Sequence, residues 1–156
     1  MPATVHYIDT SALAKRYVPE RGSGWIAALL RNDAAAISGL SDAEMASLLA
    51  RRVRESVIPS AQANTIYQAY LRDREQYRTV ELTPDIARSA ADLLLSTPLT
   101  ITLRTLDAIH VVSAQRAFAE AQRYGFPTGN FITADRNLLA AAAWAGFTVV
   151  NPEDFP

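Results

Sequence analysis

The chain has 156 residues, of which 49% are hydrophobic and 20% are charged, with a formal net charge of −1 and no cysteine. This length predicts a single domain over residues 1–156 with a sizeable apolar core. The lack of cysteine excludes a disulfide framework and a thiolate zinc site. No apolar run approaches the roughly 20 residues that a membrane span needs. The first residues lack the pattern of a secretion signal, so we expect a cytoplasmic protein without membrane attachment.

The first half of the chain alternates between β-rich apolar runs and helical patterns. Pro19 and the glycine-containing turn after it separate the first two predicted helices. Pro59 separates the third from the fourth. In chain order the sequence predicts a strand at 4–9, helices at 10–18 and 25–31, a strand at 35–38, and helices at 42–56 and 61–77.

The second half continues the same alternation. Residues 97–104 stay open, because their β-branched residues favour a strand whereas Pro98 favours a loop. The other predicted elements are strands at 78–82, 130–133 and 147–150 and helices at 84–96, 106–124 and 135–145. Strands that alternate with helices predict an α/β fold with a mostly parallel sheet covered on both faces.

Four acidic residues stand at boundaries of these predicted elements. Asp9 ends the first strand, Glu44 lies one turn into the helix after the second, Asp107 opens the helix at 106–124, and Asp135 follows the fourth strand. Ligand sites of open α/β sheets lie beyond the carboxyl ends of the strands, where the strand order reverses. We therefore expect these acids to share one site.

Each acid also has a purely structural interpretation. Asp9 and Asp135 could be helix N-caps. Ser41 and Glu44 have the spacing of a capping box, and Asp107 suits the positive end of a helix dipole. Taken together, however, carboxylates held close to one another need a compensating cation.

Oxygen ligands without cysteine point to Mg²⁺ or Mn²⁺ rather than zinc. Such a site is suited to hydrolysis of a phosphodiester, because a divalent ion activates water and stabilises the attacking and leaving oxygens. The net charge of −1 lacks the basic character of a strong nucleic-acid binder. Fourteen of the fifteen cations are nevertheless arginine, which binds phosphate with two parallel hydrogen bonds.

Four segments resemble the PIN-domain ribonucleases, in particular the VapC toxins of type II toxin–antitoxin systems. These segments are residues 7–17, 41–52, 106–110 and 131–139, and the resemblance runs from about residue 5 to residue 152. It implies a PIN-like fold with a mostly parallel five-stranded sheet in the order 3-2-1-4-5 and helices on both faces. In that order the first and fourth strands are neighbours, which would bring Asp9 close to Asp135.

The resemblance also implies a function. It implies a Mg²⁺-dependent endoribonuclease, with Mn²⁺ as a substitute, that acts as the toxin of a VapBC-type pair. Its partners would be RNA, a VapB-like antitoxin and a second copy in a homodimer. The matching positions imply that the catalytic and metal-binding residues are Asp9, Glu44, Asp107 and Asp135, supported by Ser11, Thr133 and Asn137.

Several other residues leave two interpretations open. Lys15 and Arg16 could contact the RNA backbone or could be solvated surface charges. His110 is expected to be a packed, hydrogen-bonded histidine rather than a base. Tyr17 and Trp25 could line a groove for an antitoxin helix with the tyrosines of 61–77, or could complete the core.

Three other α/β classes fit the sequence less well. A receiver domain needs an aspartate at the end of the third strand, and a dehalogenase-type phosphatase needs one two residues after Asp9, where Ser11 stands. A dinucleotide-binding enzyme needs a glycine-rich turn after the first strand. The alternative that remains is a non-catalytic or housekeeping PIN-domain protein that binds or processes RNA.

Overall fold

A computed structural model describes residues 2–156, and its strands and helices alternate as predicted. The strands are β1 (Val5–Ile8), β2 (Ala34–Ser38), β3 (Arg78–Val80), β4 (Thr128–Ile132) and β5 (Val149–Val150). The helices are α1 (Thr10–Leu13), α2 (Ser23–Asn32), α3 (Ser41–Arg54), α4 (Ser60–Arg74), α5 (Pro84–Ser96), α6 (Thr105–Arg123) and α7 (Arg136–Trp144). Two 3₁₀ turns follow α1 and β5, at Ala14–Arg16 and Pro152–Asp154.

The five strands form one sheet in the order β3-β2-β1-β4-β5, and every pair of neighbours is parallel. At the centre of the sheet, Tyr7 of β1 lies between Ala36 of β2 and Phe131 of β4. This confirms the predicted fold class and strand order. Because the carboxyl ends of parallel strands meet at one edge, the residues after β1 and β4 become neighbours.

Both faces of the sheet are covered, which is why β1 consists of buried residues throughout. On one face, Ile8 and Ile37 pack with apolar side chains from α1 to α4, among them Leu13, Ile26, Met45 and Tyr70. On the other face, Tyr7 and Phe131 pack with Val111 of α6 and Leu138 of α7. Helix α5 lies against α6 through Ile86 and Val112.

The structure corrects one predicted helix and decides one open segment. The helix predicted at 10–18 ends at Leu13 and continues only as a 3₁₀ turn to Arg16. Pro19 keeps the helix from reaching Val18, because a proline disfavours helical backbone at the residue before it. Residues 97–104 form a loop that leads into α6.

Among residues 2–156, no helix combines the length and the apolar character that a membrane crossing requires.

Candidate active site

A cavity of about 360 Å³ lies at the edge of the sheet where β1 and β4 end. All four of the predicted acids line it: Asp9, Glu44, Asp107 and Asp135. The side chains that share the cavity walls with them include Thr10, Ser11, Arg51, Arg104 and His110. The structure therefore brings the predicted quartet together, from positions up to 126 residues apart in the chain (135 − 9).

Asp9 lies at the base of this cavity and is 5% exposed. Its Oδ1 accepts hydrogen bonds from the Ser11 hydroxyl at 2.9 Å and from the Ala12 backbone N–H at 3.3 Å, so Asp9 also caps α1. The Thr133 hydroxyl lies 3.4 Å from that of Ser11. Burial raises the pKa of the Asp9 carboxyl, because the charged form loses its hydration. Ser11 and Thr133 thus occupy the predicted supporting positions beside Asp9.

Glu44 faces the cavity from the first turn of α3 and does not form the capping box that its spacing with Ser41 suggests. The N-cap position of α3 is Leu40, which makes no side-chain capping bond. Glu44 Oε1 instead accepts hydrogen bonds from the Thr10 hydroxyl at 2.7 Å and from His110 Nε2 at 2.6 Å. Burial raises the pKa of Glu44, but the hydrogen bond and charge of His110 outweigh it, and the net shift is downward.

His110 is a buried, hydrogen-bonded histidine, as the sequence predicts. Its exposed fraction is 2%. Its Nδ1 lies 2.7 Å from the hydroxyl of Tyr7, and its Nε2 bonds to Glu44. Burial opposes the charged imidazole, but the hydrogen bond to Glu44 and the nearby carboxylates raise the pKa of His110 overall. The sequence does not predict the hydrogen bond between His110 and Glu44.

Asp107 and Asp135 are joined by the guanidinium of Arg104, the N-cap residue of α6. Nε of Arg104 lies 2.8 Å from Asp107 Oδ2, and Nη2 lies 3.2 Å from Asp107 Oδ1 and 2.6 Å from Asp135 Oδ2. Asp135 also caps α7 by accepting the backbone N–H groups of Asn137 and Leu138. Burial raises the pKa of Asp135, whereas the Leu138 N–H and Arg104 lower it by more.

Across residues 2–156, no three Asp, Glu or His side chains are arranged closely enough to hold a metal ion. Arg104 and His110 instead hold three of the four acids by direct hydrogen bonds. The donors themselves suit Mg²⁺ or Mn²⁺, since all four are carboxylates around one cavity. The ligand types fit a hard divalent ion, and its entry would require Arg104 to leave Asp107 and Asp135.

Two of the other predicted residues, Asn137 and Arg16, lie outside the cavity walls, and the prediction for Lys15 is wrong. Asn137 and Arg16 are exposed. Lys15 is neither a surface charge nor free to contact RNA, because its side chain is 2% exposed. Its ammonium group lies 3.1 Å from Glu20 and 2.9 Å from Glu153, which compensate the buried charge.

An apolar groove lies between α3 and α4, but its walls differ from those predicted. Its volume is about 420 Å³, and Leu49, Val53 and Tyr67 are among the residues that line it. Tyr17 lies apart from it, with its hydroxyl 2.7 Å from that of Tyr77. Trp25 stacks on Phe155 with a centroid distance of 4.9 Å. Of the predicted groove residues, only a tyrosine of α4 contributes.

The family model for the PIN domain matches residues 6–145. No curated protein matches the chain in sequence. Solved structures with a similar fold include the sarcin-ricin loop cleaving toxin VapC20 of Mycobacterium tuberculosis, with 21% identity and a TM-score of 0.62 over 97% of this chain and 99% of that one. FitAcB of Neisseria gonorrhoeae has 16% identity and a TM-score of 0.58 over 94% and 97% of the two chains. VapBC2 of Rickettsia felis, bound to a DNA fragment from its promoter, has 11% identity and a TM-score of 0.58 over 95% and 98%.

Proposed function

Because this chain belongs to the PIN domain family, we propose that it is a metal-dependent endoribonuclease and the toxin of a VapBC-type toxin–antitoxin pair. The observation that carries this proposal is the convergence of Asp9, Glu44, Asp107 and Asp135 on one cavity at the carboxyl edge of a parallel sheet. Helix capping accounts for Asp9, Asp107 and Asp135 one at a time, but not for the convergence of four carboxylates on one cavity, and a hard divalent cation is the ligand that such a group suits.

The four carboxylates would hold Mg²⁺, with Mn²⁺ as a substitute. When bound, the divalent ion supplies an activated water and neutralises charge on the phosphate oxygens. The surrounding side chains hold these carboxylates in place. Ser11 fixes Asp9, and Thr10 and His110 fix Glu44. Such outer hydrogen bonds orient ligands before the cation arrives.

RNA would reach the cavity along its open side. Arg51 lines the cavity from α3 and is exposed. Arginine recognises phosphate oxygens with two parallel hydrogen bonds, so Arg51 is suited to the backbone of the substrate. Contacts of this kind position RNA without reading its sequence.

The toxin assignment draws on the fold of known toxin–antitoxin proteins and on the danger of a free ribonuclease in a cell. One solved neighbour is a toxin that cleaves the sarcin-ricin loop, and another is a Klebsiella pneumoniae toxin–antitoxin complex. A nuclease of this kind needs an inhibitor made alongside it, and we propose a VapB-like antitoxin.

The test is a nuclease assay on the purified protein with Mg²⁺, with EDTA, and with Mg²⁺ restored after EDTA. We expect cleavage only when the divalent ion is present. Mapping of 5′ ends in cellular RNA after brief expression then identifies the target, with Asp135→Asn as the inactive control. Asparagine can still cap α7, so this variant should keep the fold. RNA binding without cleavage in any divalent ion would instead favour a non-catalytic PIN-domain protein.

A further inference from the structure

Among residues 2–156, Arg104 is the one cationic side chain that forms ion pairs with two acids of the predicted quartet. Its guanidinium contacts both oxygens of Asp107 and one oxygen of Asp135. The side chain of Asp107 is 7% exposed, whereas that of Arg104 is 56% exposed. Asp107 is therefore held in the wall of the cavity, Asp135 is partly exposed at 32%, and Arg104 lies on the open side.

This arrangement puts an internal cation where a divalent ion would have to bind. Without a cation, the carboxylates that line the cavity would repel one another. Mg²⁺ or Mn²⁺ would need the carboxylate oxygens that Arg104 now contacts, and two cations at the same oxygens would repel each other. Since more than half of the Arg104 side chain is in solvent, it can move away without disturbing the core.

We propose that Arg104 exchanges partners during the reaction: a divalent ion takes over Asp107 and Asp135, and the released guanidinium binds a phosphate of the RNA in the same cavity. This inference rests on the proposed ribonuclease function. An arginine keeps its charge at every relevant pH, and its planar group matches phosphate as well as carboxylate. Arg104 thus compensates the acids before the metal binds and compensates the substrate afterwards.

The exchange predicts two effects of opposite sign in Arg104→Gln, and Arg51→Gln is the control for the metal measurement. Arg51 lines the same cavity, and it makes no ion pair with another side chain of the described residues. Calorimetric titration should show that Arg104→Gln binds Mn²⁺ roughly five- to tenfold more tightly than the wild type does. The reason is that the partly exposed guanidinium no longer competes with Mn²⁺ for the carboxylates of Asp107 and Asp135. Arg51→Gln should change the Mn²⁺ affinity by less than about twofold.

The second measurement is the affinity for a single-stranded RNA oligonucleotide with Ca²⁺ in place of Mg²⁺, with a gel to show that the RNA stays intact. Arg104→Gln should bind this RNA several-fold more weakly. If Arg104 had a merely structural role, its substitution would weaken the binding of both Mn²⁺ and RNA, or of neither. Arg104→Lys keeps the charge and is the conservative variant. Melting curves in EDTA show whether each variant is folded.

Three results overturn the proposal. If Arg104→Gln binds Mn²⁺ with unchanged or weaker affinity, Arg104 does not compete with the metal. If its RNA affinity is unchanged, Arg104 does not contact a phosphate. If the wild type binds Mn²⁺ and Asp9→Asn abolishes that binding, such results overturn the exchange alone. If the wild type binds no Mn²⁺ at all, the exchange and the proposed function fail together.

Discussion

Asp9 has an observed structural role and a proposed role as a metal ligand. Its carboxylate caps α1 through the Ala12 N–H, and it lines the cavity with the other acids. A helix cap needs only an acceptor oxygen, which asparagine also provides. A cation site needs the negative charge. The substitution Asp9→Asn therefore separates the two roles.

For Asp9→Asn we predict that RNA cleavage falls at least about 100-fold, as expected when a metal ligand is lost. We expect the melting temperature in EDTA to stay the same or rise. Burial raises the pKa of Asp9, which means that the folded protein disfavours its charge, and asparagine removes that charge. Asp85→Asn, at an exposed acid paired with Arg116, controls for the change in net charge. Cleavage by Asp9→Asn at the wild-type rate would refute the site assignment.

Glu44 has a role that the structure assigns more narrowly than its sequence context does. It takes no part in capping α3 and accepts hydrogen bonds from Thr10 and His110. Glu44→Gln keeps a side-chain oxygen for those donors but removes the charge. We predict a loss of most cleavage activity, with a melting temperature within a few degrees of the wild type.

The control for Glu44→Gln is Glu55→Gln, at the exposed C-cap residue of the same helix. It should keep full activity. Nuclease assays and thermal melts on the two variants, measured side by side, decide the matter. Full activity in Glu44→Gln would show that its charge has no part in the reaction.

At the scale of elements, periodicity predicted the helices and strands in the right order, and local chemistry set most of their ends. Helix α5 begins at Pro84 as predicted, and the Thr83 hydroxyl caps it by accepting the Ile86 N–H. The prediction failed where a distant contact decides the outcome. Lys15 has the sequence of an exposed helical residue, but its partner Glu153 lies 138 residues away.

The turn before α2 offers a matched pair of glycine substitutions. Gly22 has φ = +88°, and a Cβ atom there would lie 2.5 Å from the carbonyl oxygen of Pro152. Gly24, inside α2, has nothing within 4 Å of the same position. We predict that Gly22→Ala destabilises the fold by about 2 kcal/mol or more. Gly24→Ala should stabilise it by roughly 0.5–1 kcal/mol.

Chemical denaturation of both glycine variants, fitted to free energies of unfolding, tests this pair. Neither residue lines the cavity among the described residues, so RNA cleavage at a temperature where both are folded should match the wild type. Equal stability of the two variants would mean that the contact between the turn and Pro152 does not constrain the backbone.

At the scale of the whole molecule, topology explains why the acids could be predicted and Arg104 could not. Parallel strands whose order reverses between β1 and β4 must bring Asp9 and Asp135 to one edge. Arg104 lies in a loop segment whose conformation the sequence left open. Its contact with Asp135 spans 31 residues, and neither a helical nor a strand period predicts it. The extent of a single domain and the homodimer remain predictions.

The last prediction concerns the antitoxin. The structure provides an acidic cavity and, between α3 and α4, an apolar groove of about 420 Å³. An amphipathic helix suits such a groove, and a basic side chain carried by the same partner would be attracted to Asp9 and Glu44, whereas Arg104 already contacts the other two acids, Asp107 and Asp135. We therefore predict a small protein, encoded next to this gene, that binds tightly and blocks cleavage. Expression of this chain alone should arrest growth, co-expression with the neighbouring gene should restore it, and the two proteins should co-purify. Asp135→Asn should be harmless alone and should still bind the partner, since the groove is intact. Normal growth with a folded, active chain and no co-purifying small protein would refute the toxin assignment and leave a housekeeping nuclease.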